Sequence, residues 1–259
     1  MTLRERLLGR QVCKGLFYKC PCPELVEMAG YSGMDFVVLD QEHSNLSPQD
    51  TEGLIRAAEC SGLTPIVRTP SPEESHLIHA MDSGARGLII PGVSSAEQAA
   101  AVTRLTKFFP QGMRSMNFGS RAAMHGFLDR AASMERDNRE NFTMIMVESV
   151  EMVEQIEALC AVDTLDGVFI GPADLSQSMG IPGQTGHPDL LAHVRRVCRT
   201  AHAAGKFVGA FAATRQAAAN FIGAGAELIV GGTEMSLLKG ALIRANAELD
   251  EVIAEQAKG

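Results

Sequence analysis

Short apolar runs without polar alternation recur along the chain, and stretches of helical periodicity separate them. They fall at 13–17, 36–40, 65–68, 87–90, 143–147, 167–170, 207–210 and 228–231. Unbroken runs of this length suit strands buried on both faces. The intervals are too long for hairpins and right for βα units. Eight such units in 259 residues predict an α/β fold, a (β/α)8 TIM barrel forming one domain over 1–259, with a doubly wound open sheet as the alternative.

Helix signals support the same reading. Ser47, Pro48 and Asp50 supply an N-cap, a first-turn proline and an acidic third residue, and Ser61-Gly62 supplies a stop. Gly84, Gly205 and Gly223 or Gly225 close other helices. A final helix over about 236–255 puts Leu238, Leu242, Ala245, Leu249 and Val252 on one stripe. Such a stripe covers the chain's own core or meets another subunit, and the pattern alone favours the core. The interval from Ile90 to Thr143 exceeds one helix. Its segment QGMRSMNFGSRA (111–122) reads as a substrate-facing loop, with a solvated excursion as the alternative.

Composition narrows the function. The net charge of −8 argues against a nucleic-acid surface. No apolar stretch is long enough to span a bilayer, and the first ten residues lack a signal-peptide core. The six cysteines form no CxxC pair, and Cys20-Pro21-Cys22 offers no complete zinc site. Reduced thiols and a cytoplasmic enzyme are expected.

In a barrel, the residues that close the strands converge on one mouth. Here these include Asp40, Glu42 and His43 after the second run, Arg68 after the third and Glu148 after the fifth. Asp174 follows the sixth, in the segment DGVFIGPADLS (166–176). Asp174 stands where α/β folds bind ligands, or else merely caps a helix. Glu148 and Asp174 offer only oxygen ligands, which suits Mg²⁺, Mn²⁺ or a similar divalent ion such as Co²⁺. Arg68 can stabilise charge developing on a substrate oxygen. His43 can carry a proton near neutral pH, or else serve as a supporting or capping histidine. No lysine among Lys14, Lys19, Lys107, Lys206, Lys239 and Lys258 closes a predicted strand, which argues against imine catalysis.

With these residues assembled, the chain resembles the HpcH/HpaI family of class II pyruvate aldolases over nearly its whole length. The resemblance rests on FVVLDQEH (36–43), IVR (66–68), Glu148 and FIGPADLS (169–176). It implies a metal held by Glu148 and Asp174, and Arg68 steadying pyruvate and its enolate. His43 would take part in proton transfer, supported by Asp82. Backbone N–H groups of Ala173 and Asp174 would hold the pyruvate carboxylate, and Asp40 and Glu42 would organise metal-bound water. The family also implies a homohexamer with an exchanged final helix. The expected reaction joins pyruvate, or a related 2-oxo acid, reversibly to an aldehyde. Two alternatives are a Claisen-type condensation, as in siderophore citrate synthases, and a non-catalytic 2-oxo-acid binder. Met146 stands where several family aldolases carry glutamine, and Gln41 where glycine is common.

Overall fold

A run that is apolar on both faces needs side chains packed above and below it, and a closed sheet ringed by helices provides both. The computed structural model describes residues 1–257. Among them, eight parallel strands close in sequential order: β1 (Cys13–Tyr18), β2 (Phe36–Asp40), β3 (Thr64–Arg68), β4 (Gly87–Ile90), β5 (Phe142–Val147), β6 (Gly167–Ile170), β7 (Phe207–Phe211) and β8 (Leu228–Thr233). The predicted TIM barrel is therefore the fold. The expected strands recur with ends displaced by at most a residue or two.

Alternation along each strand divides the side chains into two sets. One set, including Val37, Leu39, Val67, Leu88, Ile145 and Val168, packs outward against the helices. The other fills the barrel with Phe17, Phe36, Ile66, Phe142, Phe169 and Phe207 among its members. The helix Leu3–Leu8 plugs the lower end by burying Leu3 and Leu7 in this inner set.

The inner aromatic rings fit because glycines stand beside them. Gly15 pairs with Phe36 across β1 and β2, Gly87 with Phe142 across β4 and β5, and Gly167 with Phe207 across β6 and β7. Phe169 likewise pairs with Gly209. A Cβ added at Gly209 would lie 2.7 Å from Phe169 Cδ2, and one added at Gly87 would fall against the ring of Phe142. The rings occupy the space that the absent side chains leave.

The helix Pro48–Cys60 has the expected Ser47–Asp50 capping box and Pro48 in its first turn. Gly84 and Gly225 close their helices with φ of 109° and 112°. Gly223 instead lies inside the helix Arg215–Ala224, because Gly225 makes the left-handed turn. The final helix, Glu234–Gln256, corrects a larger expectation. Only Glu234 in it is buried, while Leu238, Leu242, Leu249 and Val252 are all exposed. Its stripe does not cover the chain's own core.

The glycine–phenylalanine pairing yields a stability prediction. Gly87→Ala should destabilise the chain by about 1–3 kcal/mol through overpacking, despite the better strand propensity of alanine. Phe142→Leu should also destabilise it, by leaving a void. Combined, the two changes should be less harmful than their sum, which equilibrium denaturation of all four proteins measures. Strict additivity would mean that the ring does not fill the glycine's space.

Candidate active site

The alternation that fills the barrel also selects what reaches its mouth. The next inward positions at the strand ends are Lys19 on β1, Asp40 on β2, Arg68 on β3, Glu148 on β5 and Gly171 on β6. Around them lies a cavity of about 300 Å³, lined by Phe17, Lys19, His43, Arg68, Met146 and Asp174 among others. Phe169, Phe211 and Thr233 complete its floor and far wall.

Asp40 is fully buried and organises the β2–β3 side. Its Oδ1 accepts the backbone N–H of Glu42 at 3.1 Å and of His43 at 3.2 Å. Arg68 binds it in a fork, Nε to Oδ1 at 2.9 Å and Nη2 to Oδ2 at 2.7 Å. Burial works to raise the Asp40 carboxyl, but Arg68, the His43 N–H and Lys19 outweigh it, so it lies below the usual range. Arg68 also stacks over Phe17, 4.4 Å from the ring centroid, and its Nη1 stands 3.1 Å from Glu42 Oε2. A guanidinium has five N–H donors and Asp40 takes two of Arg68's, so three on Nη1 and Nη2 remain for Glu42 or a substrate oxygen.

The β5–β6 side is acidic. Glu148 follows β5 directly, half-buried, and Gly92 N–H reaches its Oε1 at 3.4 Å. A side chain on Gly171 would crowd it, since an added Cβ would meet Glu148 Cβ at 3.1 Å and Oε2 at 3.4 Å. Asp174 lies in the first turn of the helix Pro172–Ser178, whose N-cap is Gly171 and gives no side-chain capping bond. Asp174 is therefore not the cap. The first-turn N–H groups of Ala173 and Asp174 have no partner within the helix.

Burial raises the Glu148 carboxyl, and the charges of Glu42 and Asp174 raise it further against the opposing Gly92 N–H and Arg68. Glu42 is raised by burial too, with Asp40 and Asp174 adding to the effect and Arg68 and His43 opposing it. Its Oε2 is buried with no donor aligned on it, despite the nearby Arg68. Among the described residues, no three His, Cys, Asp or Glu side chains form a complete metal cluster. The donor set fits a hard divalent cation all the same. Glu148 feels the charges of Asp174 and Glu42, Glu42 has an unmatched oxygen, and coordination would be completed by water or substrate.

His43 sits at the rim with its side chain 57% exposed, and its Nε2 is 3.7 Å from Glu42 Oε2. The expected support from Asp82 is not made within one chain. Asp82 Oδ1 accepts Arg114 Nη2 at 2.9 Å and its Oδ2 accepts Asn117 Nδ2 at 2.9 Å, beside a different hollow. The 111–122 loop also departs from expectation. Arg114 is buried between Asp82 and Asp137, and Arg121 pairs with Glu59, so these arginines bind the chain's own helices and do not line the cavity. Gln41 turns outward to Thr51, 2.9 Å from its hydroxyl, while Met146 lines the cavity.

Lys19 corrects the expectation that no lysine closes a strand. β1 extends through Tyr18, which packs outward and donates its hydroxyl to Leu25 O at 2.9 Å. Lys19 is then the next inward residue. Counting alternate positions from Phe17 would have found it.

Known proteins place this arrangement. The family model for HpcH/HpaI aldolase/citrate lyase matches residues 14–241. A hydroxypyruvate/pyruvate aldolase of Cupriavidus necator is 31% identical over 96% of this chain and 92% of its own. A 2-keto-3-deoxy-L-rhamnonate aldolase of Klebsiella pneumoniae is 35% identical over 93% and 90%. The solved structure of citrate synthase SbnG superposes with a TM-score of 0.86 at 32% identity, covering 96% of this chain and 98% of that one. With its closed barrel and this agreement along nearly its full length, the chain belongs to the HpcH/HpaI aldolase/citrate lyase family of carbon–carbon lyases.

Proposed function

We propose that the protein is a divalent-metal-dependent pyruvate aldolase that adds the enolate of a 2-oxo acid reversibly to an aldehyde. The observation that carries this reading is the mouth itself. Arg68 with unused N–H groups, His43 and Asp174 line one cavity, and Glu148 beside Gly171 feels the charges of both Arg68 and Asp174. The aldolase names of two relatives at 31% and 35% identity support it.

Glu148 and Asp174 would hold Mg²⁺, Mn²⁺ or Co²⁺. When bound, such an ion polarises the 2-oxo acid and acidifies its methyl protons. The N–H groups of Ala173 and Asp174 hold the substrate carboxylate at the helix start. Arg68 stabilises negative charge on the enolate oxygen through its remaining donors, and Asp40 keeps the guanidinium oriented. His43 carries the proton between substrate and solvent, with Glu42 nearby. Asp40 and Glu42 would also orient water beside the cation. Phe17, Phe169 and Phe211 exclude bulk water from the reacting carbons. A citrate synthase at 32% identity favours a second reading, a Claisen-type condensation. Turnover of a CoA thioester in place of an aldehyde would select it. No helix among the described residues is long and apolar enough to cross a membrane, and the six cysteines are free thiols. We place the enzyme in the cytoplasm.

The uncovered stripe of the final helix supports assembly through that element, in a homo-oligomer such as a hexamer. Light scattering of the intact protein should give a multiple of 27.7 kDa. Truncation before Ser236 should give smaller species or aggregates. A monodisperse monomer of the intact chain would refute the assembly.

Metal dependence can be read without turnover. Mg²⁺ or Mn²⁺ should raise Tm, by a free energy of about 2.7 kcal/mol at a hundred times Kd, and EDTA should reverse the shift and abolish activity. Glu148→Gln should weaken this response. In the metal-free protein the same change should raise stability at neutral pH. Glu148 titrates higher folded than unfolded, so its contribution is fully present below the unfolded value and is lost as pH rises through the folded one. The variant's advantage should therefore vanish below about pH 4, where the carboxyl is protonated in both states.

Oxaloacetate decarboxylation separates His43 from Arg68. It also forms a pyruvate enolate, but carbon dioxide leaves instead of a methyl proton. Arg68→Ala should depress decarboxylation and aldol turnover alike. His43→Ala should depress aldol turnover and pyruvate proton exchange by about 10²–10⁴, and decarboxylation far less. Equal losses in His43→Ala would assign the histidine to the water network.

A further inference from the structure

The end of the barrel opposite the active-site mouth holds a second hollow, of about 280 Å³, with a different chemistry. Arg86, which lines it, directly precedes β4, and its carbonyl accepts the Phe142 N–H at the start of β5, at 3.1 Å. The helices Pro48–Cys60 and Glu74–Ser83 end beside it, at Glu59 and Gly84. The hollow therefore lies where strands begin, whereas the catalytic cavity lies where they end.

Four arginines line this space, Arg56, Arg86, Arg121 and Arg136, with exposed His125 and a single carboxylate, Glu59. In a chain of net charge −8, that is a local concentration of positive charge that solubility does not require. Their bonds within the chain leave donors over, since each guanidinium carries five N–H groups. Arg56 pairs with Glu52 across an exposed turn of its own helix, an arrangement worth little in water. Arg86 is held loosely, its Nη1 3.5 Å from Asn141 Oδ1 and 3.6 Å from Asp137 Oδ1. Arg121 gives Nη1 to Ser83 O at 2.9 Å and Nη2 to Glu59, and its Nε bonds nothing among the described residues. Arg136 gives Nε and Nη2 to Asp137 and Nη2 to Ala122 O, which leaves Nη1. Asp137 thus serves Arg86 and Arg136 and also Arg114. Arg114 has Asp82 besides, but Arg86 and Arg136 have no other carboxylate among the described residues.

We propose that this hollow binds the phosphoryl group of a small phosphate ester, at a site separate from the active-site cavity. A phosphate monoester brings nearly two charges and three terminal oxygens, so several guanidinium forks can share it. A carboxylate brings one charge and two oxygens in one plane. The volume is at the lower limit of small-molecule sites, which favours a phosphorylated compound of a few carbons over a nucleotide. Gly84 contributes through its missing side chain, since an added Cβ would lie 2.5 Å from Arg121 Nη1. Bound there, the ester would tie the ends of two helices to the segment between β4 and β5. The inference stands apart from the reaction at the mouth and does not depend on it.

Titration calorimetry of the intact, metal-loaded protein at fixed ionic strength tests it. The probes are glycerol 3-phosphate, inorganic phosphate and, as a dianion without phosphorus, succinate. Glycerol 3-phosphate should bind at one site per chain and raise Tm. Its Kd should be at least tenfold below that of succinate and severalfold below that of inorganic phosphate. Arg56→Gln combined with Arg86→Gln should weaken the ester by about 10–100-fold, as expected for lost hydrogen bonds to a charged group. Arg68→Gln, which alters the mouth, should leave the ester's Kd unchanged. Undiminished binding in the double variant would place the anion elsewhere and overturn the inference. So would a wild type that binds no ester, or binds succinate equally well, results that stand even if the double variant fails to fold. Inorganic phosphate binding as tightly as the ester would overturn the assignment of an ester.

Discussion

The buried carboxylate of Asp40 is the constraint on which the active-site mouth depends. An isolated charge at that depth would be strongly disfavoured, and one removed from its partners is more harmful than an apolar substitute. Asp40 meets this demand by gathering four donors from two directions, two from Arg68 and two from the chain just beyond β2. The gathering fixes the guanidinium plane and the turn that carries Glu42 and His43. Its stabilisation and its geometry are therefore the same interaction. An alanine at this position would release Arg68 and the histidine turn together, so loss of function there would not by itself assign Asp40 a chemical step.

The opposite wall follows the reverse logic. Burial and neighbouring carboxylates raise Glu148 and Glu42, with Arg68 as partial relief. Such crowding opposes folding at neutral pH in the absence of a cation. It persists because the surrounding barrel over-determines the positions, and the missing side chain at Gly171 spares Glu148 further crowding. Stability lost at the site is made good by packing below it.

Much of this was legible in the sequence, because two periodicities carry it. Unbroken apolar runs marked the strands. The first polar residues beyond them marked Asp40, Arg68 and Glu148, since the same alternation that fills the interior sets which residue emerges at the top. Lys19 was missed for a local reason. Tyr18 hides its outward role behind an aromatic ring, and β1 reads one residue short. Asp82, the 111–122 arginines and the final helix are different in kind. Their partners are set by which helices lie side by side, or by surfaces beyond the chain, and periodicity within a segment holds no information about either. Arg114 illustrates the limit. Its segment reads as a substrate-facing loop, yet it is buried against Asp82, Asp137 and the ring of Phe108.

The phenylalanine–glycine pairs below the cavity have an evolutionary consequence. Each is a lock of two positions, since enlarging the glycine alone makes a clash and shrinking the ring alone makes a void. Drift through this interior must pass by simultaneous or compensated steps, which are rare. Rim positions such as Thr233 and Phe211 have no such obligate mate and can change singly. Descendants of this barrel would thus explore new reactants from the top downward, inheriting the floor beneath Phe169 and Gly209 almost unaltered.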